Sequence, residues 1–533
     1  MKKPIIAFFI GLAVCCGLAF GENWLTDGGD VQRSGWNRDE HILTKDNIKN
    51  LKLLWKVQTG NDPRALHSFA TPLVVDSVPT SSGPKQVIYL EGISDNLYAI
   101  DAKTGKMIWQ RHFTYPAPPA RGGGFGQQPT DPKHLGFLQP GGSSDTPVIG
   151  PPDSSGDRTL YVDDGGGNLH SIDIASGEDE KPVAQIGTSK FALQLYDDMI
   201  IYGANYSSNT GIVSFNIKEP NAQPVGSSGF GRSGGLWGRR GPAIDSQGTV
   251  WTTTGDGNVN TSNPDDLIIA DSMVGFRMED GVWKAWNWFT PNNWNWLWHR
   301  DLDPNNTPTI FTYKGRELMA SSGKECRVFL LDPLNPGGDD HHTPLYKTPL
   351  FCNAGADFQN SGSWGALSSW EDSTGTRWIL VPFWGPPNPD FKFPITNTPA
   401  AKEGGEAAFK LVDDGGNLSL QPVWISRDMH RGEPPIIANG MIFAYGSGEN
   451  TQQAWPDIGL NFDSTIRAAK SGHATIYVLD AMNGKELWSS GDTISSFSHF
   501  SGITVANGKV YLGTYDGEFY CFGLPGEAAG AGQ

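Results

Sequence analysis

Positive charge is scarce in this sequence. Lys and Arg number 40 against 57 Asp and Glu, giving a net charge of −17. Such a surface repels phosphate backbones, so nucleic acid is disfavoured as a partner. Cysteine is scarcer still, five in 533 residues, and Cys15 and Cys16 fall within an N-terminal apolar run. The other three, Cys326, Cys352 and Cys521, form no Cys-x-x-Cys-His, so no covalent haem is expected. Cys326 and Cys352 lie nearer each other in sequence, and an oxidising compartment permits a disulfide between them. Cys521 reads as a small buried thiol. His-Glu-x-x-His and phosphate-loop patterns are absent, which removes support for zinc proteases and nucleotide enzymes. Beyond residue 20 no run is long and apolar enough to span a bilayer.

The one long apolar run, Ile5 to Phe20, follows Lys2 and Lys3 and is short for a membrane span. It reads as a secretory signal over residues 1–21, with small residues at Ala19 and Gly21 for cleavage before Glu22. The expected location is periplasmic or secreted. A lipoprotein through Cys15 or Cys16 is the weaker alternative. Without Lys2 and Lys3, the only charged residues of that segment, the remaining chain carries −19.

Abundant are the residues of turns and of aromatic packing: 67 Gly, 37 Pro and 19 Trp, with few amphipathic helical patterns. One phrase recurs. Ile476-Tyr-Val-Leu-Asp480-Ala-Met-Asn-Gly484-Lys485-Glu-Leu-Trp488 repeats the offsets of Leu97-Tyr-Ala-Ile-Asp101-Ala-Lys-Thr-Gly105-Lys106-Met-Ile-Trp109. Each reads as a strand, a polar turn and a second strand opening on Trp. Leu169 to Gly177 keeps the strand, Asp and Gly, while Val328 to Asp332 keeps the strand and Asp. Ile212 to Ile217, Met273 to Met278 and Ala407 to Leu411 keep the strand alone. An eighth, Phe519 to Gly523, ends without a Trp strand, whereas Leu51 to Val57 is a Trp strand without a predecessor. Pairing the two closes a ring and leaves no sheet edge at the seam. The uneven spacing suits four-stranded blades with variable loops better than a solenoid of fixed rungs. The predicted fold is therefore all-β, an eight-bladed β-propeller over 51–524. An N-terminal arm at 22–50 and a disordered tail at 525–533 flank it. Loops 111–145 and 386–406 are long enough to cover one face.

Strand-Asp-x-x-x-Gly-Lys-x-x-Trp resembles the tryptophan-docking repeat of the pyrroloquinoline quinone (PQQ) dehydrogenases and their propeller relatives, over nearly the whole chain after the signal. The resemblance implies that the Trp of one blade packs on the next. It leaves activity open, because the same propeller includes non-catalytic scaffolds that bind protein or envelope partners.

Four stretches resemble parts of the PQQ enzymes' site. Ser233-Gly-Gly-Leu-Trp237 is similar to their Gly-Gly-x-x-Trp, which implies that Trp237 is a floor for the quinone. As an alternative, Trp237 is one more inter-blade Trp. Thr254-Gly255-Asp256 stands where they have Thr-Gly-Asn, implying Asp256 as a metal ligand, against an ordinary Asp-Gly turn. His299-Arg300-Asp301-Leu302-Asp303 resembles their Trp-Asp-x-Asp, which implies that Asp301 is the base and that Asp303 is a lanthanide ligand. Arg300 replaces the Trp, and either offsets carboxylate charge or points to solvent. Gly323-Lys324 through Asp332 is similar to the segment whose cation donates to the quinone oxygens, implying that role for Lys324. The expected cofactors are PQQ and Ca²⁺ or a lanthanide. The expected partners are a small alcohol or sugar and an external electron carrier such as a cytochrome. Two features depart from the enzymes. No vicinal Cys pair follows the signal, and no acidic residue occurs from Met199 to Lys218, where they have a metal-binding Glu. Asn205 and Asn209 are the residues available to replace it. Asp339-Asp-His-His342 reads as a solvated loop rather than a metal site, because adjacent histidines diverge.

Overall fold

The computed structural model describes residues 23–116, 142–143, 145–187, 189–204, 211–219, 222–228, 230, 233–452 and 464–526. Strands dominate, arranged as eight blades of four antiparallel strands in chain order around an axis. Among the described residues the α-helices are the short Trp294–Trp298 and Ser464–Lys470, and no helix is long and apolar enough to cross a membrane.

The recurring phrase builds the contact between blades. In Leu97–Trp109 and Ile476–Trp488 alike, the Asp carboxylate accepts backbone N–H groups two or three residues on. The Gly N–H then returns to the Asp carbonyl at 2.8 Å in both copies. That Gly has φ +69 in both, a conformation that side chains disfavour. It is also the floor for the preceding blade's indole. A Cβ on Gly484 would lie 2.4 Å from Trp424, and one on Gly105 2.8 Å from Trp55. Trp424 Nε1 donates to Ala481 O at 3.0 Å, Trp55 Nε1 to Ala102 O at 3.2 Å, and Trp109 Nε1 to Ile174 O at 3.1 Å. Turn and Trp are thus complementary halves of one joint, which is why they recur together.

The ring closes as the two incomplete ends predict. Strand Lys52–Gln58 pairs antiparallel with Glu518–Gly523, with Leu53 opposite Phe522 and Val57 opposite Phe519. This strand from near the N-terminus thereby completes the last blade, and Cys521 is buried in the seam. Cys326 and Cys352 form a disulfide.

The inner strand of each blade leaves backbone groups facing the axis, and residues 24–37 satisfy some of them in all eight blades. Trp24 and Val74 exchange backbone hydrogen bonds, and Ile149 N donates to Leu25 O. Arg33 Nη2 donates to Leu193 O in the third blade. Ile244, Ile310, Ser369 and Ile437 N donate to Val31, Gln32, Ser34 and Gly35 O, one in each of the next four. Asn37 Nδ2 donates to Val505 O in the eighth. Arg33 is wholly buried, and its guanidinium also reaches Pro242 O, Thr26 Oγ1 and Asp27 O. A charge is tolerated there because carbonyls and Asp27 surround it.

Candidate functional site

Antiparallel connection puts the loops after the second strand of each blade, and those leading into the next blade, at one end of the ring. Blades four and five meet there. Strand Val250–Thr254 ends in Gly255-Asp256, and Arg316–Ser321 ends in Ser322-Gly323-Lys324. The connection from Val282–Phe289 to Thr309–Tyr313 carries Asp301 and Asp303, just past the helix Trp294–Trp298. The backbones interlock, Lys324 N donating to Asp303 O at 3.2 Å. A Cβ on Gly323 would stand 2.6 Å from that same oxygen, so Gly is needed for the approach.

The predicted residues Asp256, Asp301, Asp303 and Lys324 come together. One carboxylate oxygen each from Asp256, Asp301 and Asp303 lies within 4.8 Å of the other two. Lys324, 5% exposed, hydrogen-bonds Asp301 and stands 2.6 Å from Asp303 Oδ1, off the line of a hydrogen bond. Its ammonium also faces the Trp364 ring at 5.1 Å. Asp303 is almost wholly enclosed, whereas the Asp301 side chain is 45% exposed. Asp301 is thus the carboxylate open to solvent. It has φ +54, a left-handed conformation that a loop retains where other contacts impose it.

Trp237 lies beside this group. Its two-residue strand Leu236–Trp237 pairs with Thr253 and Thr254, and its carbonyl accepts from the Thr252 and Thr253 hydroxyls. A Cβ on Gly255 would come 2.2 Å from its Nε1, which puts the indole against the Asp256 turn. Arg300 takes the solvent alternative. It is exposed, with its guanidinium 4.5 Å from the Trp296 ring centre, and the cation among the carboxylates is Lys324. His341 stacks on Trp288 at 3.8 Å and His342 Nδ1 lies against Thr290 O, so that pair does not converge on a metal. Asn205, Asn209 and residues 117–141 of the first long loop lie outside the described residues.

Sequence reasoning missed several neighbours. Asp271, wholly buried, brackets the Asp256 turn. Its N donates to Gly255 O at 3.0 Å, and its Oδ2 accepts from Gly257 N at 3.3 Å. Asn305, Ser322 and the Trp364 indole N–H, each in a residue under 9% exposed, have polar atoms without hydrogen-bond partners, as does Asn306 Oδ1. Asn305 and Asn306 follow Asp303 by two and three residues, just beyond the segment that resembles the enzymes' site. Nothing in sequence marked Asp271.

Electrostatics reflect the crowding. Burial pushes the Asp256 carboxyl well up, and the charges of Asp303 and Asp301 add to it. Asp271 is pushed up to about 8, by burial first and Asp303 next. Burial raises Asp303 too, with Lys324 opposing. Lys324 is pulled down by burial, but Asp303 and Asp301 outweigh it and hold the ammonium charged. The orphaned buried Oδ1 of Asp256, converging with the Asp301 and Asp303 carboxylates, fits a hard cation with oxygen ligands. The half-buried Trp237 indole and the donors of Lys324 and Trp364 suit a flat, oxygen-bearing cofactor.

Residues 24–195 match the family model of the PQQ-type glucose/ethanol/alcohol dehydrogenase β-propeller domain. The match is to that propeller domain and spans the first two blades and the start of the third. No curated protein sequence matches it. Among solved structures, this propeller is similar to the quinohemoprotein alcohol dehydrogenase of Comamonas testosteroni. The identity is 15% and the TM-score 0.56, over 96% of this chain and 81% of that one. It is also similar to a quinohemoprotein alcohol dehydrogenase of Pseudomonas putida HK5, at 12% identity and TM-score 0.57, over 95% and 80%. A europium-containing methanol dehydrogenase gives 12% and 0.59, over 95% of this chain and 98% of that one. At these identities the likenesses establish the fold.

Proposed function

We propose that the chain is an exported quinoprotein oxidoreductase that oxidises an alcohol or sugar hydroxyl with PQQ and a Ca²⁺ or lanthanide ion. The observation that carries the reading is the convergence of the Asp256, Asp301 and Asp303 carboxylates on one point beside Lys324, with the buried Oδ1 of Asp256 left unbonded. Bound here, PQQ would supply a hydride acceptor and the cation Lewis acidity. The protein's part begins with Asp256 and Asp303, whose carboxylates would hold the ion. Trp237 offers the planar face against which the cofactor would lie. Asp301 is the solvent-facing carboxylate and accepts a hydrogen bond from Lys324. It takes the proton of the substrate hydroxyl as hydride leaves the carbon. Lys324 is held charged and donates toward negative charge that develops beside it. Electrons would then pass to an external carrier such as a cytochrome. Export is supported by Lys2, Lys3 and the apolar run that follows.

Dye-linked alcohol oxidation by protein reconstituted with PQQ and Ca²⁺ or La³⁺ tests the reading. The parent turns over, and Asp301→Asn loses ~10²-fold or more, the low end for a general base.

A further inference from the structure

A cavity of about 400 Å³ lies on the same end of the ring as the carboxylate centre and shares no residue with it. It is bounded by the segment 353–361, which leads from blade five into blade six, by the turn 385–389 after strand Arg377–Trp384, and by Lys402, Glu403 and Arg431. The segment is fastened to Lys324 at both ends. Asn353 Nδ2 donates to Lys324 O at 2.6 Å, and just beyond Ser361 a Cβ on Gly362 would stand 2.7 Å from Lys324 Cα. The cavity therefore shares a wall with the centre, where the Lys324 ammonium bonds Asp301. Its polar groups are held in place. Asp357 Oδ1 accepts from Gln359 N and Asn360 N, and Asn360 Oδ1 accepts from Thr451 Oγ1 at 2.6 Å. Arg431 Nε donates to that same hydroxyl at 3.3 Å, and Arg431 Nη1 stands 3.7 Å from Glu403 Oε2.

The lining restricts what can fill it. Lys402 and Arg431 balance Asp357 and Glu403, so neither an anion nor a cation gains a net attraction. A neutral ligand bearing several hydroxyls suits donors and acceptors in one wall, because each hydroxyl donates one hydrogen and accepts in return. Pro386, Pro387 and Pro389 add apolar surface against which C–H groups pack. The volume lies within the range of about 300–1,000 Å³ typical of small-molecule sites, and a short-chain alcohol would leave most of it to water. We propose that this cavity is a sugar-binding subsite, holding one unit of an oligosaccharide while a hydroxyl of the adjoining unit reaches Asp301. The unit in the cavity is held and not oxidised, because Asp256, Asp301, Asp303, Lys324 and Trp237 all lie outside the lining. For the adjoining unit the inference rests on the oxidation reading above, and it narrows the substrate to chains of two or more sugar units.

The test is calorimetric titration of the cofactor-free protein with the neutral disaccharides cellobiose, maltose, lactose and sucrose. The parent should bind at least one of them. Gly355 lines the cavity outside the left-handed region, and a Cβ there meets nothing within 4 Å, so Gly355→Trp fills the space without backbone strain. It should weaken binding by ~10-fold or more, and Glu403→Gln by about tenfold, the worth of one hydrogen bond to a charged group. Asp413→Asn, at the opposite end of blade six where Asp413 pairs with Lys314 at 2.8 Å, should bind as the parent does. Urea unfolding of each variant shows that the fold is retained. With PQQ and cation present, Gly355→Trp should raise the KM for that disaccharide and leave kcat within about twofold, as loss of uniform binding does. A parent that binds none of the disaccharides, or binding unchanged in Gly355→Trp, would overturn the inference. Binding that Gly355→Trp abolishes, in a parent that takes up no quinone, would instead remove the oxidation reading and leave the sugar site standing.

Discussion

Replacing Lys324 with Met probes the balance at the centre most sharply. Met keeps an unbranched stem of similar volume, so the packing loss is small, below about 1.5 kcal/mol. The charge loss is not small. Lys324 is 5% exposed and is the ion-pair partner of Asp303, at 2.6 Å, and of Asp301. Removing one partner of a buried pair costs ~3–5 kcal/mol, because the remaining charge is left uncompensated. Lys324→Met should therefore unfold in urea with a free energy lower by about that amount when no cation is present. A cation should repair it. At a hundredfold excess over the dissociation constant, a ligand that binds only the folded state adds about 2.7 kcal/mol. In Lys324→Met the carboxylates no longer share their charge with an ammonium, so La³⁺ binds more tightly and stabilises the variant more than the parent. The assay is urea unfolding of both proteins with and without La³⁺. A loss below about 1 kcal/mol, or equal stabilisation of both proteins by La³⁺, would refute the reasoning.

Two further outcomes follow from the joints and the buried pairs. Trp424→Ala should cost ~3–5 kcal/mol, and Gly484→Ala ~1–3 kcal/mol from its left-handed backbone and overlap with Trp424. The double variant should cost at least 1 kcal/mol less than the sum, since removing the indole relieves the overlap; strict additivity in urea unfolding would contradict the docking. Burial alone would raise Glu449, but His499 and Arg467 hold its carboxyl at about 2, and Arg467 is the surer partner because burial draws His499 below its ordinary value. A carboxyl held below its unfolded value of 4.5 stabilises the fold above that pH and loses the contribution as pH falls toward 2. The parent should accordingly lose ~2–3 kcal/mol more than Glu449→Gln between pH 5 and 2, and parallel stability profiles would contradict this.

Legibility in the sequence followed locality. The Asp-x-x-x-Gly-Lys-x-x-Trp phrase declares itself because turn and strand lie within 13 residues and recur, as in Leu97–Trp109. The closing strand was readable because Leu51–Val57 and Phe519–Gly523 each lack what the other has. The contacts of residues 24–37 were not readable. Arg33 donates to carbonyls of Leu193 and Pro242, and no side-chain identity at those positions signals an acceptor. Asp256, Asp301, Asp303 and Lys324 stood in recognisable segments, and the fold draws their loops to one end of neighbouring blades. Asp271 lies two residues before Met273–Glu279, the third strand of its blade, like any polar residue before an apolar run, and only its two bonds around Asp256 reveal it. Arg300, next to Asp301 in sequence, turns outward onto Trp296, because adjacent residues on a short loop face different ways.

The proposed role of Asp301 as a base in a cofactor-loaded oxidoreductase is open to one direct comparison. Parent and Asp301→Asn are reconstituted with PQQ and Ca²⁺ or La³⁺, and dye-linked oxidation of alcohols and sugars is followed beside the quinone absorbance. The account predicts equal absorbance in both proteins, turnover in the parent, and turnover lower by ~10²-fold or more in Asp301→Asn. Unchanged turnover in Asp301→Asn would remove Asp301 from the chemistry. A parent that shows neither quinone absorbance nor oxidation of any alcohol or sugar tried would contradict the account and make the propeller a scaffold.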